Sequence, residues 1–170
     1  DIIEPMLESN GLLSLQWVDR VDDYIGFGGT LDWSSDATLE IVTDGEFHSD
    51  AVYNAPNGTL IFDAGTDIVP DPASAINVDT FAVTGGDWFE NGTLSAINVN
   101  NFYVAPGSGF FRAAGGTGQA DDPFVLTDIY GLQGGDIDGI VEYHYVLGND
   151  IDASMTRNWV RNVDPDDPES

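Results

Sequence analysis

The chain has 170 residues, including 30 Asp or Glu and only four basic residues, so its formal net charge is −26. Nucleic acid and anionic membrane surfaces are therefore poor partners, because almost nothing in the chain can neutralise phosphates. Cysteine is absent, which excludes disulfides and metal–thiolate centres. A hydrophobic content of 42% argues against a disordered chain, and no apolar run is long enough to span a bilayer.

The first 36 residues contain apolar stretches without a clear repeat. Residues 12–18 (LLSLQWV) and 24–27 (YIGF) have the composition of strands. We predict that residues 1–36 form an irregular first coil, a cap over an exposed strand edge, or a docking element for another subunit.

A 21-residue repeat begins at Thr38 and organises the centre of the chain. Its apolar positions alternate with variable ones, which is the pattern of strands that bury one face. One coil of this length cannot bury its inner face alone, so the repeat predicts parallel coils stacked about 4.8 Å apart. We predict an all-β fold, a parallel β-helix (β-solenoid) of about six to seven coils, over residues 37–160.

Three columns of the repeat are predicted to form ladders in the interior. By alternation, Trp88 is then expected to point outward. A corner column contains Asp44, Gly65, Gly86 and Gly107, and a weaker apolar column contains Ala55, Ile76 and Ile97. The three ladders are Leu39, Leu60, Phe81, Phe102; Ile41, Phe62, Val83, Val104; and Phe47, Ile68, Phe89, Phe110.

The frame continues beyond a one-residue slip at residues 121–123. Phe124 and Leu126 are predicted to take the first two columns and Leu132 the third. Tyr145 and Leu147 follow 21 residues later. Residues 161–170 are acidic and rich in proline, which predicts a disordered tail.

The most specific pattern lies between residues 110 and 159: a glycine-rich turn, YGLQ at 130–133, YVLGNDIDAS at 145–154, and Trp159. It resembles a segment of filamentous-haemagglutinin-type bacterial surface adhesins that commonly precedes GLUG repeats. The resemblance covers roughly residues 80–159, although the GLUG motif itself and the family's secretion domain are not seen. It implies a right-handed β-helix that is extracellular, secreted or at the cell surface, and serves as an adhesin shaft or matrix fibre.

Acidic residues at predicted corners are candidate Ca²⁺ ligands, since Ca²⁺ takes six to eight oxygen ligands. The alternative is that these side chains cap turns through their own hydrogen bonds. No other cofactor is expected. The candidates are Asp121, Asp122, Asp150 and Asp152.

Asn57 and Asn91 each begin an N-glycosylation sequon at a predicted turn, where a glycan would be accessible. The alternative is that Asn-Gly is simply a common turn dipeptide. The sequence leaves both open.

A polysaccharide-cleaving enzyme is a possible use of a β-helix, but we expect no enzymatic activity. The chain lacks lysine, and His48 and His144 have the character of surface or half-buried residues rather than catalysts. Asp121 and Asp122 resemble the carboxylate pair of inverting hydrolases, but the histidine and basic motifs that accompany that pair are missing.

The leading hypothesis is a structural subunit or shaft segment of a surface filament or adhesin, with head-to-tail polymerisation as one route to length. The alternative is a carbohydrate-binding module of a larger secreted adhesin, with Trp88 as the best exposed aromatic contact. The expected partners are further copies of the chain, a glycan, or a host or matrix surface.

Overall fold

The computed structural model describes residues 3–9, 11–17, 25–134 and 143–159. These residues are mainly extended, and long strands follow the solenoid around its corners. The predicted tail, 161–170, lies outside the described residues. The elements are α1 (Ile3–Ser9), β1 (Leu12–Trp17), β2 (Ile25–Asp32), β3 (Thr38–Thr43), β4 (Phe47–Pro70), β5 (Ala75–Asn91), β6 (Ala96–Val104), β7 (Gly109–Ala113), β8 (Phe124–Leu126), α2 (Ile129–Gln133), β9 (Tyr145–Leu147) and a 3₁₀ helix (Ser154–Asn158).

All pairs between these strands are parallel. The main sheet has the order β1-β3-β4-β5-β6, while β2 pairs with β4 and β7 pairs with β5. This confirms the predicted β-solenoid. The described residues form about five turns, against the expected six to seven for the whole chain, and the right-handed sense stays a prediction.

The first two predicted columns are continuous ladders in the structure. Leu13, Leu39, Leu60, Phe81 and Phe102 pair from layer to layer in one register. A second ladder runs two residues further along each strand, from Leu15 to Val104. The central members are fully buried, because alternate side chains of a strand point to the same face. This core holds the layers together.

The prediction for the third column is wrong at one position. Trp88, not Phe89, pairs with Ile68 on one side and Phe110 on the other. Trp88 is fully buried, whereas Phe89 is 52% exposed. The corner between Val83 and Trp88 is one residue shorter than the corner between Phe62 and Ile68. A one-residue shift exchanges the inner and outer faces of a strand.

The fourth column also needs a correction, because its members divide between two ladders. Tyr53 pairs with Ile76, which pairs in turn with Ile97, while Ala55 pairs with Val78. The corner column remains close-packed: a Cβ on Gly65 would lie 2.1 Å from the carbonyl oxygen of Asp44. Gly86 has a φ of 76°, which favours glycine at that corner.

The regular stack ends earlier than the repeat predicts. Phe124 and Leu126 do pair with Tyr145 and Leu147, but in a separate two-stranded sheet. Phe124 and Leu126 pack in a small outer cluster with Phe111. Leu147 is 57% exposed, not a member of the main core.

Leu132, predicted for the third column, lies on helix α2 and is 45% exposed. The helix forms there because Asp128 caps it, accepting a hydrogen bond from the Gly131 N–H at 2.8 Å. The capped turn replaces the strand that the repeat would place at this point.

Both ends of the core carry covering elements. At the first end, Leu7 of α1 is fully buried, and Glu4 accepts a hydrogen bond from the Asp32 N–H at 3.1 Å. At the other end, Phe102 contacts the rings of Tyr130 and Trp159, with centroids 5.3 and 5.4 Å away. Residues 1–36 therefore supply a covering helix and two strands of the stack, as far as they are described.

Candidate functional site

A groove of about 580 Å³ lies alongside β6, the last strand of the main sheet in the described part of the chain. Its volume falls in the range of ligand-binding clefts. Apolar side chains, including Ile129 and Met155, alternate with amides and carboxylates along its walls. The lining residues with amide, hydroxyl or carboxylate groups are Asn77, Asn98, Asn100, Thr127, Asp128, Tyr130, Asp150 and Asp152.

A ladder of amide side chains leads into this groove along the outside of the solenoid. Asn54 donates from Nδ2 to Oδ1 of Asp32 at 2.7 Å, Asn77 donates to Asn54 at 2.9 Å, and Asn98 donates to Asn77 at 2.8 Å. All the bonds run in one direction. The ladder therefore ends in the groove with the Oδ1 of Asn98, an acceptor.

Asn100 repeats this arrangement beside the ladder. Its Nδ2 donates to Oδ1 of Asp79 in the preceding layer at 3.0 Å. One amide N–H of Asn98 and one of Asn100 are thus directed back into the stack. The oxygen atoms are left for the groove, so this wall offers acceptors to a ligand.

Of the four predicted Ca²⁺ ligands, the structure places Asp150 and Asp152 in the groove. Asp152 accepts a hydrogen bond from the Ser154 N–H at 2.8 Å. That bond lowers the pKa of the Asp152 carboxyl below its usual value. Asp152 therefore caps a turn, as the alternative interpretation expects.

The other two predicted ligands, Asp121 and Asp122, lie in a separate turn. The Asp122 N–H donates to the Gln119 carbonyl there at 3.0 Å. Across the described ranges, no three His, Cys, Asp or Glu side chains come together in a group that could hold a metal ion. The proposed Ca²⁺ site therefore has no assembled ligand set in the residues that can be seen.

A buried ionic network lies behind the groove. Arg112 donates to Oε2 of Glu90, to the Ser95 carbonyl at 2.6 Å, and to Oδ2 of Asp128 at 2.7 Å. Arg112 and Glu90 are each 5% exposed. Because Asp128 also caps α2, the network joins β5 and β7 to the covering helix and fixes one wall of the groove.

Both sequon asparagines are exposed, and both hold a neighbouring layer. Asn57 donates from Nδ2 to the Ser34 carbonyl at 3.1 Å, and Asn91 donates to the Gly116 carbonyl at 3.1 Å. Glycosylation would use the same nitrogen atoms. Glycosylation stays a prediction, while the hydrogen bond at each site agrees with the alternative role of the asparagine in a turn.

The predicted aromatic sugar contact is wrong, because Trp88 is fully buried. Trp33 and Trp159 are buried as well, and Trp17 packs partly against the core. The rings serve the interior rather than an exposed strip. His48 pairs with Glu46, and His144 is exposed.

The groove and the amide ladder were not predicted, although the sequence carries a signal for the ladder. Asn77 and Asn98 occupy the same repeat position in two similar segments, SAINVDTF at 74–81 and SAINVNNF at 95–102. In stacked coils, identical amides at one position are typical of a side-chain ladder. None of the described helices is long and apolar enough to cross a membrane.

Comparison with known proteins gives no further guide to the site. No protein-family model, curated protein or solved structure matches this chain. The adhesin resemblance therefore stays a prediction, and any assignment of function depends on the geometry described above.

Proposed function

We propose that this chain is a structural segment of an extracellular surface protein of the adhesin type, in which a rigid β-solenoid separates or presents other parts. The observation that carries the proposal is the unbroken ladder from Leu13 to Phe102, with covering elements at both ends of the core. A stack of this kind resists bending, because each layer is bonded to the next along its length.

The covering elements favour a discrete segment over head-to-tail polymerisation. A subunit that stacks on its own copies needs an open core face at each end. Here Leu7 lies under one end, and Tyr130 and Trp159 lie over Phe102 at the other. Polymerisation would require these groups to move away.

The surface charge suits an extracellular setting with abundant salt or divalent cations. A net charge of −26 on 170 residues produces strong self-repulsion that ions screen. The carbohydrate-binding alternative loses its predicted contact at Trp88, which is fully buried.

Surface exposure on intact cells tests the proposal. An antibody raised against the purified solenoid should label intact cells of the source organism, and brief protease treatment of those cells should remove the label. Labelling that appears only after permeabilisation would contradict the proposal. A cytosolic protein probed in parallel controls for cell integrity.

A further inference from the structure

We propose that the groove beside β6 binds an extended, basic peptide segment of another protein, which adds to the free edge of β6 near Ile97. This inference goes beyond the structural role proposed above and does not depend on it. It is based on three features of the groove: a strand edge, a wall of acceptors, and negative charge.

The strand edge follows from the directions of two backbone groups. The Ala96 N–H points back into the stack and donates to the Ser74 carbonyl at 3.2 Å. The Val99 N–H points the other way and donates to the hydroxyl of Tyr130 at 3.4 Å. Since backbone groups alternate sides along a strand, Ile97 also directs its N–H and C=O away from β5.

Tyr130 occupies the place of a neighbouring strand at Val99 but not at Ile97. Among the described residues, β6 has no strand partner on that side. Such an edge accepts an extended segment through main-chain hydrogen bonds, while side-chain pockets select its sequence. Pairing here is limited to the first half of β6.

The acceptor wall determines the chemistry of the occupant. Asn98 and Asn100 each direct one amide N–H into the solenoid, and both Asp150 and Asp152 are exposed carboxylates. Amide oxygens and carboxylates on this wall therefore favour a ligand that brings donors. Arginine or lysine at alternate positions of an extended peptide would continue the amide ladder and pair with these carboxylates.

Charge complementarity selects a foreign partner over a second copy. This chain has four basic residues against 30 acidic ones, so another copy would bring repulsion to an already acidic groove. A basic segment of a different protein, extended in solution, meets both the charge and the shape of the site.

Fluorescence anisotropy with a labelled peptide of alternating threonine and arginine tests the proposal. The buffer contains 0.5 M NaCl, where the Debye length is about 4 Å and non-specific attraction is largely screened. The variant D150N/D152N should bind at least tenfold more weakly. D121N/D122N, with the same change in charge at a separate turn, should bind within twofold of the unchanged protein.

Backbone pairing is tested with the same peptide methylated at alternate backbone nitrogens, which keeps the charge and removes edge donors. It should also bind at least tenfold more weakly. Equal weakening by both aspartate pairs would overturn the proposal in favour of general electrostatics. Binding of Ca²⁺ alone or of neutral oligosaccharides at the groove, with no binding of the peptide, would overturn it in favour of those ligands.

Discussion

The neighbouring residues Trp88 and Phe89 allow a direct test of which side chain enters the core. Trp88 is fully buried and contacts the rings of Phe81 and Phe110, with centroids 5.6 and 5.3 Å away. Truncation to Ala should cost about 3–5 kcal/mol, a large part of a typical unfolding free energy of about 5–15 kcal/mol. Phe89 is 52% exposed and stacks on Phe111 at 5.0 Å, so its truncation should cost about 1 kcal/mol.

Urea unfolding followed by circular dichroism in 1 M NaCl measures both variants against the unchanged protein. Where W88A leaves too little folded protein, the milder pair W88L and F89L gives the same ordering. Because the two positions are adjacent in sequence and share a local backbone, a difference in unfolding free energy between the variants reports the burial of each side chain. A greater loss for Phe89 than for Trp88 would refute the shifted register and restore the strict 21-residue column.

Three further predictions concern the corner, the buried network and a buried hydroxyl. Gly65→Ala should lower the free energy of unfolding by about 1–3 kcal/mol, because the new Cβ would lie 2.1 Å from the Asp44 carbonyl oxygen. Gly11 has open space around it, so the control Gly11→Ala should change the free energy of unfolding in urea by less than about 0.5 kcal/mol. R112M should cost about 3–5 kcal/mol by leaving Glu90 charged and buried, and the double variant R112M/E90Q should recover part of that loss in the same unfolding assay. Burial raises the pKa of Tyr53 well above its ordinary value of 10.0. Stability should therefore be lost as pH rises above about 10, where the tyrosine of the unfolded chain ionises. Y53F should lose less stability than the unchanged protein between pH 9 and 11, and an identical pH profile for the two proteins would contradict the raised pKa.

The solenoid could be predicted because its strands repeat, and repeated inner residues have one physical use. Leu39, Leu60, Phe81 and Phe102 occupy the same layer position, and apolar residues within each repeat alternate with a period of two rather than at the i, i+3, i+4 spacing of a helix. The sequence interval does not determine how many residues each corner takes. One residue fewer before Trp88 was enough to turn Phe89 outward.

The groove could not be predicted from the sequence, for a different reason. It forms where the repeat pattern continues but the stack does not, since Asp128 begins a helix instead of a strand. Asp150 and Asp152 were singled out for their charge, yet their position beside Asn98 depends on how the chain returns after β9. Such a return path is a tertiary property, which local patterns do not encode.

Sedimentation velocity of the purified chain, from 1 to 100 µM in 1 M NaCl with and without 5 mM CaCl₂, tests most directly whether the solenoid is a discrete, covered segment. We expect a single species of 18.2 kDa at every concentration, with no dependence on Ca²⁺. Negative-stain images of the same samples should show separate short particles. Fibres, or a sedimentation coefficient that rises with concentration, would contradict the covered ends and support head-to-tail assembly.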